Sequence, residues 1–549
     1  MSPIHFLPDS DEQRLPIEAR ATVWDRAAPR GLLLATIVWL AAFSARLPEV
    51  NVESRWLLAV LLTVMAVGAI TIGWRAGSVA VSTASLLVAG LVNCLLIASV
   101  VHSRAAASPE VVRVTLSDWA WIPGSLVTAT AIGSLFGAAG RFIGATRRAA
   151  APARRPSTQR LQAALGAVIV LTTLCLMTVG SLVTSMEVGL SVPDWPTSYG
   201  YNMFFFPFTK MVGGIYYEHA HRLIGTLVGL QTIVLCAWLW LKPPRIGAGI
   251  ALESGHCPHC SYSIMGLVGR RCPECGGTWS QRDEQPGRAA RLLARWPLFV
   301  QRNPLAMLGT AVLVLVIVQG VLGGRRVTLV NTSGHDVAEL LAVVHACLAQ
   351  LFLLAAALLM FALHRSAQTA VREACAAKGS RPAVCSSPQM RKAAARVGLA
   401  LVLLALGQTI LGAITRHYGL DWALLLHVLG AVAVVLATLT FASIIMMHSP
   451  ARRLRLGAGV LIAGVALQVF LGAVSWWITT RLDRLDQILD LGVSSLVSAH
   501  VVVGAIFLLA AWLMTLAVAA SRAGAALADA GRVESAAPLI APAAQRGVA

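Results

Sequence analysis

The sequence predicts an all-α polytopic membrane protein: an eight-helix core of two pseudo-symmetric four-helix bundles, preceded by about four extra N-terminal transmembrane helices. Three observations lead there. Of the 549 residues, 57% are hydrophobic and only 13% are charged, whereas a soluble globular chain is about 45–50% apolar and about 25% charged. The apolar residues also come in runs near the roughly 20 residues a helix needs to cross a bilayer, and lipid offers no partners for the backbone of other open forms. Finally, a Gln-x-x-Leu-Gly element recurs along the later part of the chain, at Gln319–Gly323, Gln408–Gly412 and Gln468–Gly472.

Twelve spans follow in order. Four, at about 31–47, 56–74, 77–101 and 120–144, make an N-terminal region over 1–150. A polar stretch, Met1 to Arg30, precedes them, unlike a cleavable signal peptide. Eight more lie at about 161–184, 216–241, 304–324, 338–363, 397–415, 422–447, 456–479 and 494–519. They divide into a first half over 155–241 and 304–364, a 242–303 loop, a second half over 396–520 and a tail over 521–549. Each Gln-x-x-Leu-Gly element is expected to end a span at the outer face, with a histidine in the next span. A duplicated four-helix unit explains that repetition.

The net charge of +19 does not point to nucleic acid, because the basic residues sit in loops between the apolar runs. With the N-terminus placed in the cytoplasm, the inner loops and tail of the eight-span part hold 27 Lys and Arg and the outer loops hold 6. That bias orients the chain in a bacterial inner membrane by the positive-inside rule. The ten cysteines do not form a disulfide framework: Cys94, Cys175, Cys236 and Cys347 lie in apolar runs, and Cys375 and Cys385 share an inner loop, where thiols stay reduced.

Ionisable groups inside a membrane are costly and usually functional. Four histidines fall within spans: His221, His345, His427 and His500. They occupy the second, fourth, sixth and eighth spans of the core, which all run inward from the outer face. Each follows the start of its span by a similar number of residues, which places it about 8–11 Å below the outer surface at 1.5 Å per residue. Two imidazole pairs at one depth, one per repeat, suit the axial ligation of two haems between helices. Glu218 lies three residues before His221, on the same helical face, where it can accept a proton or stabilise a cation. His219 is expected to face the headgroups. His102, His335 and His417 are expected in outer loops, and His364 and His448 at inner span ends.

Glu218-His219-Ala220-His221-Arg222 resembles the Glu-x-x-His-Arg signature of the haem A synthase family, and Gly189-Leu190-Ser191-Val192-Pro193-Asp194-Trp195-Pro196 is similar to that family's first outer loop. The resemblance covers about residues 160–520. It implies eight helices in two similar halves. The first half would bind the substrate haem O through His221 and His345, and the second a haem b cofactor through His427 and His500. It further implies Glu218 as the catalytic carboxylate and oxidation of the C8 methyl of haem O, through an alcohol and a hydrated aldehyde, to a formyl group. The product serves cytochrome oxidase. Haem O synthase and cytochrome oxidase assembly factors are the implied partners; membrane lipid surrounds the chain, a homo-oligomer is compatible with it, and the electron acceptor is left open. Two features depart from the family. Residues 186–217 hold no cysteine, which some members have there, and Val428 and Val501 follow the later histidines instead of Arg.

Cys257, Cys260, Cys272 and Cys275 form a C-x2-C-x11-C-x2-C array in the 242–303 loop. That spacing suits tetrahedral thiolate coordination of a structural zinc ion; an iron site or a redox dithiol are the alternatives. A di-haem b-type electron-transfer protein linked to quinone also accounts for the four histidines, though not for Glu218 with Asp194-Trp195-Pro196. A transporter would call for polar groups at the membrane midplane and broken helices.

Overall fold

A computed structural model describes residues 21–96, 116–145, 156–207, 210–244, 271, 303–333, 335–375, 388–449, 451–482 and 490–534. The four-cysteine array and His102 lie outside the described residues. The protein is a multi-pass, all-helical membrane protein: twelve helices among the described residues are long and apolar enough to span a bilayer. They are α1 (Val23–Ala45), α2 (Ser54–Ala76), α3 (Val79–Leu96), α4 (Leu116–Ile143), α5 (Thr158–Ser185), α6 (Gly214–Leu241), α7 (Pro304–Ser333), α8 (His335–Cys375), α9 (Pro388–Tyr418), α10 (Asp421–His448), α11 (Arg452–Arg481) and α12 (Leu491–Glu534). A two-stranded hairpin, β1 (Thr197–Ser198) and β2 (Tyr201–Asn202), lies in the α5–α6 connection.

The helices run past the expected spans at several ends. α1 starts eight residues before the expected 31, because its early charges are satisfied locally. Thr22 and Asp25 form a reciprocal capping box. Lys242 Nζ reaches both Asp25 oxygens at 2.7 and 2.8 Å, and Arg26 donates to the Ala76 carbonyl at the end of α2 at 2.7 Å, where a cation complements the helix dipole. The Gln-x-x-Leu-Gly elements do not end their helices as expected: α7, α9 and α11 all continue to Ser333, Tyr418 and Arg481. His417 accordingly lies in the last turn of α9 rather than in a loop, and His335 opens α8.

The described chain divides into two compact units, residues up to 374 with 482–498, and 375–481 with 499 onward. In the first, α2 and α4 cross so closely that a Cβ on Gly73 would sit 2.2 Å from the Gly137 carbonyl oxygen. Lipid tails are as apolar as Leu, so such close backbone approach supplies much of the packing energy in a membrane. α1 packs on α3 and also on α5 and α6. Gln231 on α6 donates to Thr36 at 3.1 Å, and Thr36 meets Thr172 on α5 at 3.1 Å, all three buried. Toward the other end of α1, Tyr216 donates to the Phe43 carbonyl at 2.6 Å and Tyr217 to Glu49 at 2.9 Å. Trp39, Phe43 and Tyr216 stack with ring centres 5.2 and 5.4 Å apart. α1 is therefore joined to the first histidine-bearing helix at three heights. In the second unit, α9 packs on α10 and α10 on α11, while Gly398 and Gly457 admit Thr515 and Met514 of α12.

Candidate functional site

The same local device positions all four intramembrane histidines. A glycine on the preceding helix lies against each ring. A Cβ would fall 2.8 Å from His221 Cε1 at Gly180, 3.0 Å from His345 Cε1 at Gly323, 3.1 Å from His427 Cε1 at Gly412 and 2.9 Å from His500 Cε1 at Gly472. A side chain there would crowd the imidazole and force it to shift by at least a few tenths of an ångström. Three of these glycines close the Gln-x-x-Leu-Gly elements, which explains the repeat: the glycine makes room for a ring. The glutamine four residues earlier supports the same ring's helix. Gln319 donates to the His345 carbonyl at 2.8 Å, Gln468 Nε2 lies 3.5 Å from His500 Nε2, and Gln408 lies against Gly430, three residues after His427. Leu176 stands in place of glutamine in the first instance. Each Nδ1 is buried without a hydrogen bond of ordinary geometry, although the backbone of Leu176, Gln319, Gln408 or Gln468 approaches the ring.

Within each unit the rings come together in pairs. The His221 and His345 ring centres are 6.4 Å apart with planes at 70°, and those of His427 and His500 are 6.3 Å apart at 78°. A metal–imidazole bond is about 2.0–2.1 Å, and a ring centre lies about 1.1 Å behind its nitrogen, so two imidazoles on opposite sides of one metal have centres about 6.3 Å apart. The ring centres of both pairs match that spacing. The residues present thus fit a bis-imidazole metal centre at each site, the ligation that a haem iron takes. His427 and His500 would hold the implied cofactor, and His221 and His345 the implied substrate.

The α5–α6 loop is tied to α6 beside the first pair through Glu218 and Arg222. Glu218 is 4% exposed. One oxygen accepts from Arg222 at 2.7 Å and the other from the Val192 amide at 2.7 Å. Arg222 also donates to the carbonyls of Asp194 at 2.7 Å, Thr197 at 3.0 Å and Val192 at 3.0 Å. Glu218 and Arg222 are therefore a neutral buried pair that pins the α5–α6 loop to α6. Such a pair adds little net stability, but breaking it leaves a buried charge and costs about 3–5 kcal/mol.

Asp194 organises the loop's tip. Its carboxylate accepts from the Tyr199 and Gly200 amides at 2.6 and 2.8 Å and from the Thr197 hydroxyl. Tyr199 and Gly200 both have positive φ, 52° and 78°, the conformation a tight two-residue hairpin needs. Burial acts to raise the Asp194 carboxyl, but the Thr197 hydroxyl, the two amides and the Arg222 charge outweigh it and hold it below its ordinary value. Trp195 packs on α7 at Gly324, where a Cβ would fall 2.2 Å from the indole.

The sequence reading of His219 as a headgroup-facing, solvated group is corrected. His219 is 0% exposed, with Nδ1 3.2 Å from Ser198 Oγ and its ring 5.1 Å from that of Phe206. The loop folds back over α6 and encloses it. Its neighbours are loop residues, not the imidazole pair. Three contributors were not singled out in the sequence: the glycines as ring platforms, Gln231, and Arg326 on α7. Only the glycines left a readable signal, in their spacing from glutamine. Among the described residues, no group of three or more His, Cys, Asp or Glu is arranged to hold a metal ion. No protein-family model matches the chain, and no curated protein matches it.

Proposed function

We propose that the chain is a haem A synthase-type membrane oxidoreductase, which oxidises the C8 methyl group of haem O to a formyl group for cytochrome oxidase biogenesis. The observation that carries this reading is the pairing of four intramembrane imidazoles, each on its own glycine, at spacings of 6.4 and 6.3 Å. In this reading α5–α8 and α9–α12 are two related four-helix halves, and α1–α4 are an addition. The N-terminus lies in the cytoplasm of a bacterial cell, and both imidazole pairs lie toward the periplasmic face of the inner membrane.

Converting a methyl to a formyl group takes the oxygen of one water and releases four protons and four electrons, and the electrons would pass one at a time through the second imidazole pair's haem to an external one-electron acceptor. A haem b held by His427 and His500 supplies one-electron redox chemistry that side chains lack. His221 and His345 hold the substrate from both faces and fix its depth. The α5–α6 loop packs beside that site on Glu218, Arg222 and Arg326. Glu218 is engaged through both oxygens, which favours electrostatic stabilisation of developing positive charge over free proton acceptance. Arg222 holds one carboxylate oxygen in place at 2.7 Å.

A di-haem electron-transfer protein is the second reading, favoured by the near-identity of the two pairs. Among the described residues the Glu218–Arg222 cluster lies beside the first pair alone, which speaks against it, since two sites with one task need no such difference. The test is to extract the porphyrins from the purified protein and identify them by mass and spectrum. Haem O or haem A beside haem b supports the synthase. Haem b alone at both sites overturns it in favour of electron transfer. His221→Ala and Glu218→Ala should each abolish haem A formation while haem b stays at the His427/His500 site; normal haem A output from either variant would refute the assignment.

A further inference from the structure

Arg326 is the cation that the first site does not use. It sits on α7, three residues after the ring platform Gly323. Its guanidinium packs on the covering loop: a Cβ on Gly189 would fall 2.7 Å from Nη1. Nε is buried with no hydrogen-bond partner, and none of the described ion pairs includes it. Glu218 and Glu339 act on it at a distance only. Its charge in turn reaches both imidazoles of the first pair. Arg222, by contrast, is fully spent on Glu218 and three loop carbonyls.

The local charges therefore do not balance by contact. Glu218 and Arg222 neutralise one another, and Arg326 is left, among the described residues, as an uncompensated guanidinium beneath the loop. A half-buried cation held without a partner is costly, and the planar guanidinium fork is built to take a carboxylate through two parallel hydrogen bonds. We propose that Arg326 is the ligand-carboxylate subsite of the first imidazole pair, binding an acidic side arm of the molecule that His221 and His345 hold. The inference rests on the porphyrin reading of that pair. Natural haems carry their carboxylates along one edge, so one ion pair at Arg326 fixes which edge faces the loop. The opposite edge, with its apolar substituents, then faces the membrane interior. The imidazoles set the depth and plane of the ring, and Arg326 sets its rotation.

The test uses the full-length chain purified free of haem and titrated in detergent with iron protoporphyrin IX or with its dimethyl ester, in which both carboxylates are neutral. Soret absorbance reports binding, and the equivalent lost in His221→Ala identifies the first site. The wild type should bind the free acid at that site at least about tenfold more tightly than the ester, the range of a charge-assisted hydrogen bond. Arg326→Gln should abolish this preference while leaving ester affinity unchanged, and Arg326→Lys should restore part of it. Equal wild-type affinities for acid and ester, or a preference that survives Arg326→Gln, overturn the proposal. A parallel loss of acid and ester binding in Arg326→Gln assigns the residue a structural role and also overturns it. Retention of the second equivalent shows that the variant is folded; if it is lost, the wild-type preference and the Arg326→Lys result decide. If His221→Ala removes no equivalent, the porphyrin reading of the first pair fails, and this inference falls with it.

Discussion

The glycine platforms make a sharp prediction at Gly472. Replacing it with Ala adds a Cβ 2.9 Å from His500 Cε1 and 3.4 Å from Nδ1. Ordinary carbon contacts are about 3.5–4.0 Å, so the ring must withdraw by about 0.5–1 Å. A metal–nitrogen bond tolerates about 0.2 Å. The substitution therefore either breaks that bond or strains the α11–α12 contact, and overpacking of this kind costs about 1–3 kcal/mol. Haem affinity at the second site should fall by about 5- to 150-fold, since each 1.4 kcal/mol is a factor of ten. The helix itself gains, because Ala is favoured over Gly by roughly 1 kcal/mol, so loss of haem cannot be ascribed to a weaker helix. Gly459 on the same helix is the control, because a Cβ there would meet nothing within 4 Å. Haem content per chain and the optical spectrum of the purified variants provide the assay: Gly472→Ala should lose the low-spin bis-imidazole spectrum and Gly459→Ala should keep it. Wild-type haem content in Gly472→Ala, or equal losses in both variants, would refute the platform argument.

Three further outcomes concern other parts of the chain. Asp194 has a folded-state pKa below its unfolded value of about 3.9, so its contribution to stability is present above about pH 4 and is lost as pH falls through the folded value; the gap in melting temperature between wild type and Asp194→Asn should narrow below about pH 4, and a gap that widens on acidification would contradict the loop assignment. Gln231→Leu removes one interhelical hydrogen bond to Thr36, worth about 0.6 kcal/mol in a membrane, so thermal melting should show a small shift with α1 still docked; proteolytic release of the N-terminal helices would show that this bond carries far more. Cys257→Ser should lower bound zinc by about one ion per chain in metal analysis, and unchanged zinc would remove the structural-zinc expectation.

Much of the architecture is readable in one dimension because a membrane simplifies the code. Every span must be an apolar helix, so all twelve helices stand out as runs. Their ends do not. The start of α1 at Val23 depends on Lys242, more than two hundred residues away, neutralising Asp25. The histidines stand out because an ionisable group in an apolar run is conspicuous. His219, two residues before His221, gives the same signal at a helix end and misleads, since the loop that buries it is irregular and leaves no periodic pattern. In the sequence Arg326 is only one of two adjacent basic residues, yet Arg325 is exposed while Arg326 packs beneath Gly189.

The amino-acid sequence alone determined the membrane class and the number of spanning helices, because solvation by lipid acts on each residue according to its own type and on each helix by its own length. Only the tertiary structure decided which histidine faces which, that a glycine lies against every ring, that both Glu218 oxygens are engaged, and that Arg326 is, among the described residues of the first site, the cation left without a contact partner. Those facts are distances between residues far apart in the chain, set by how helices cross and by where one loop folds back.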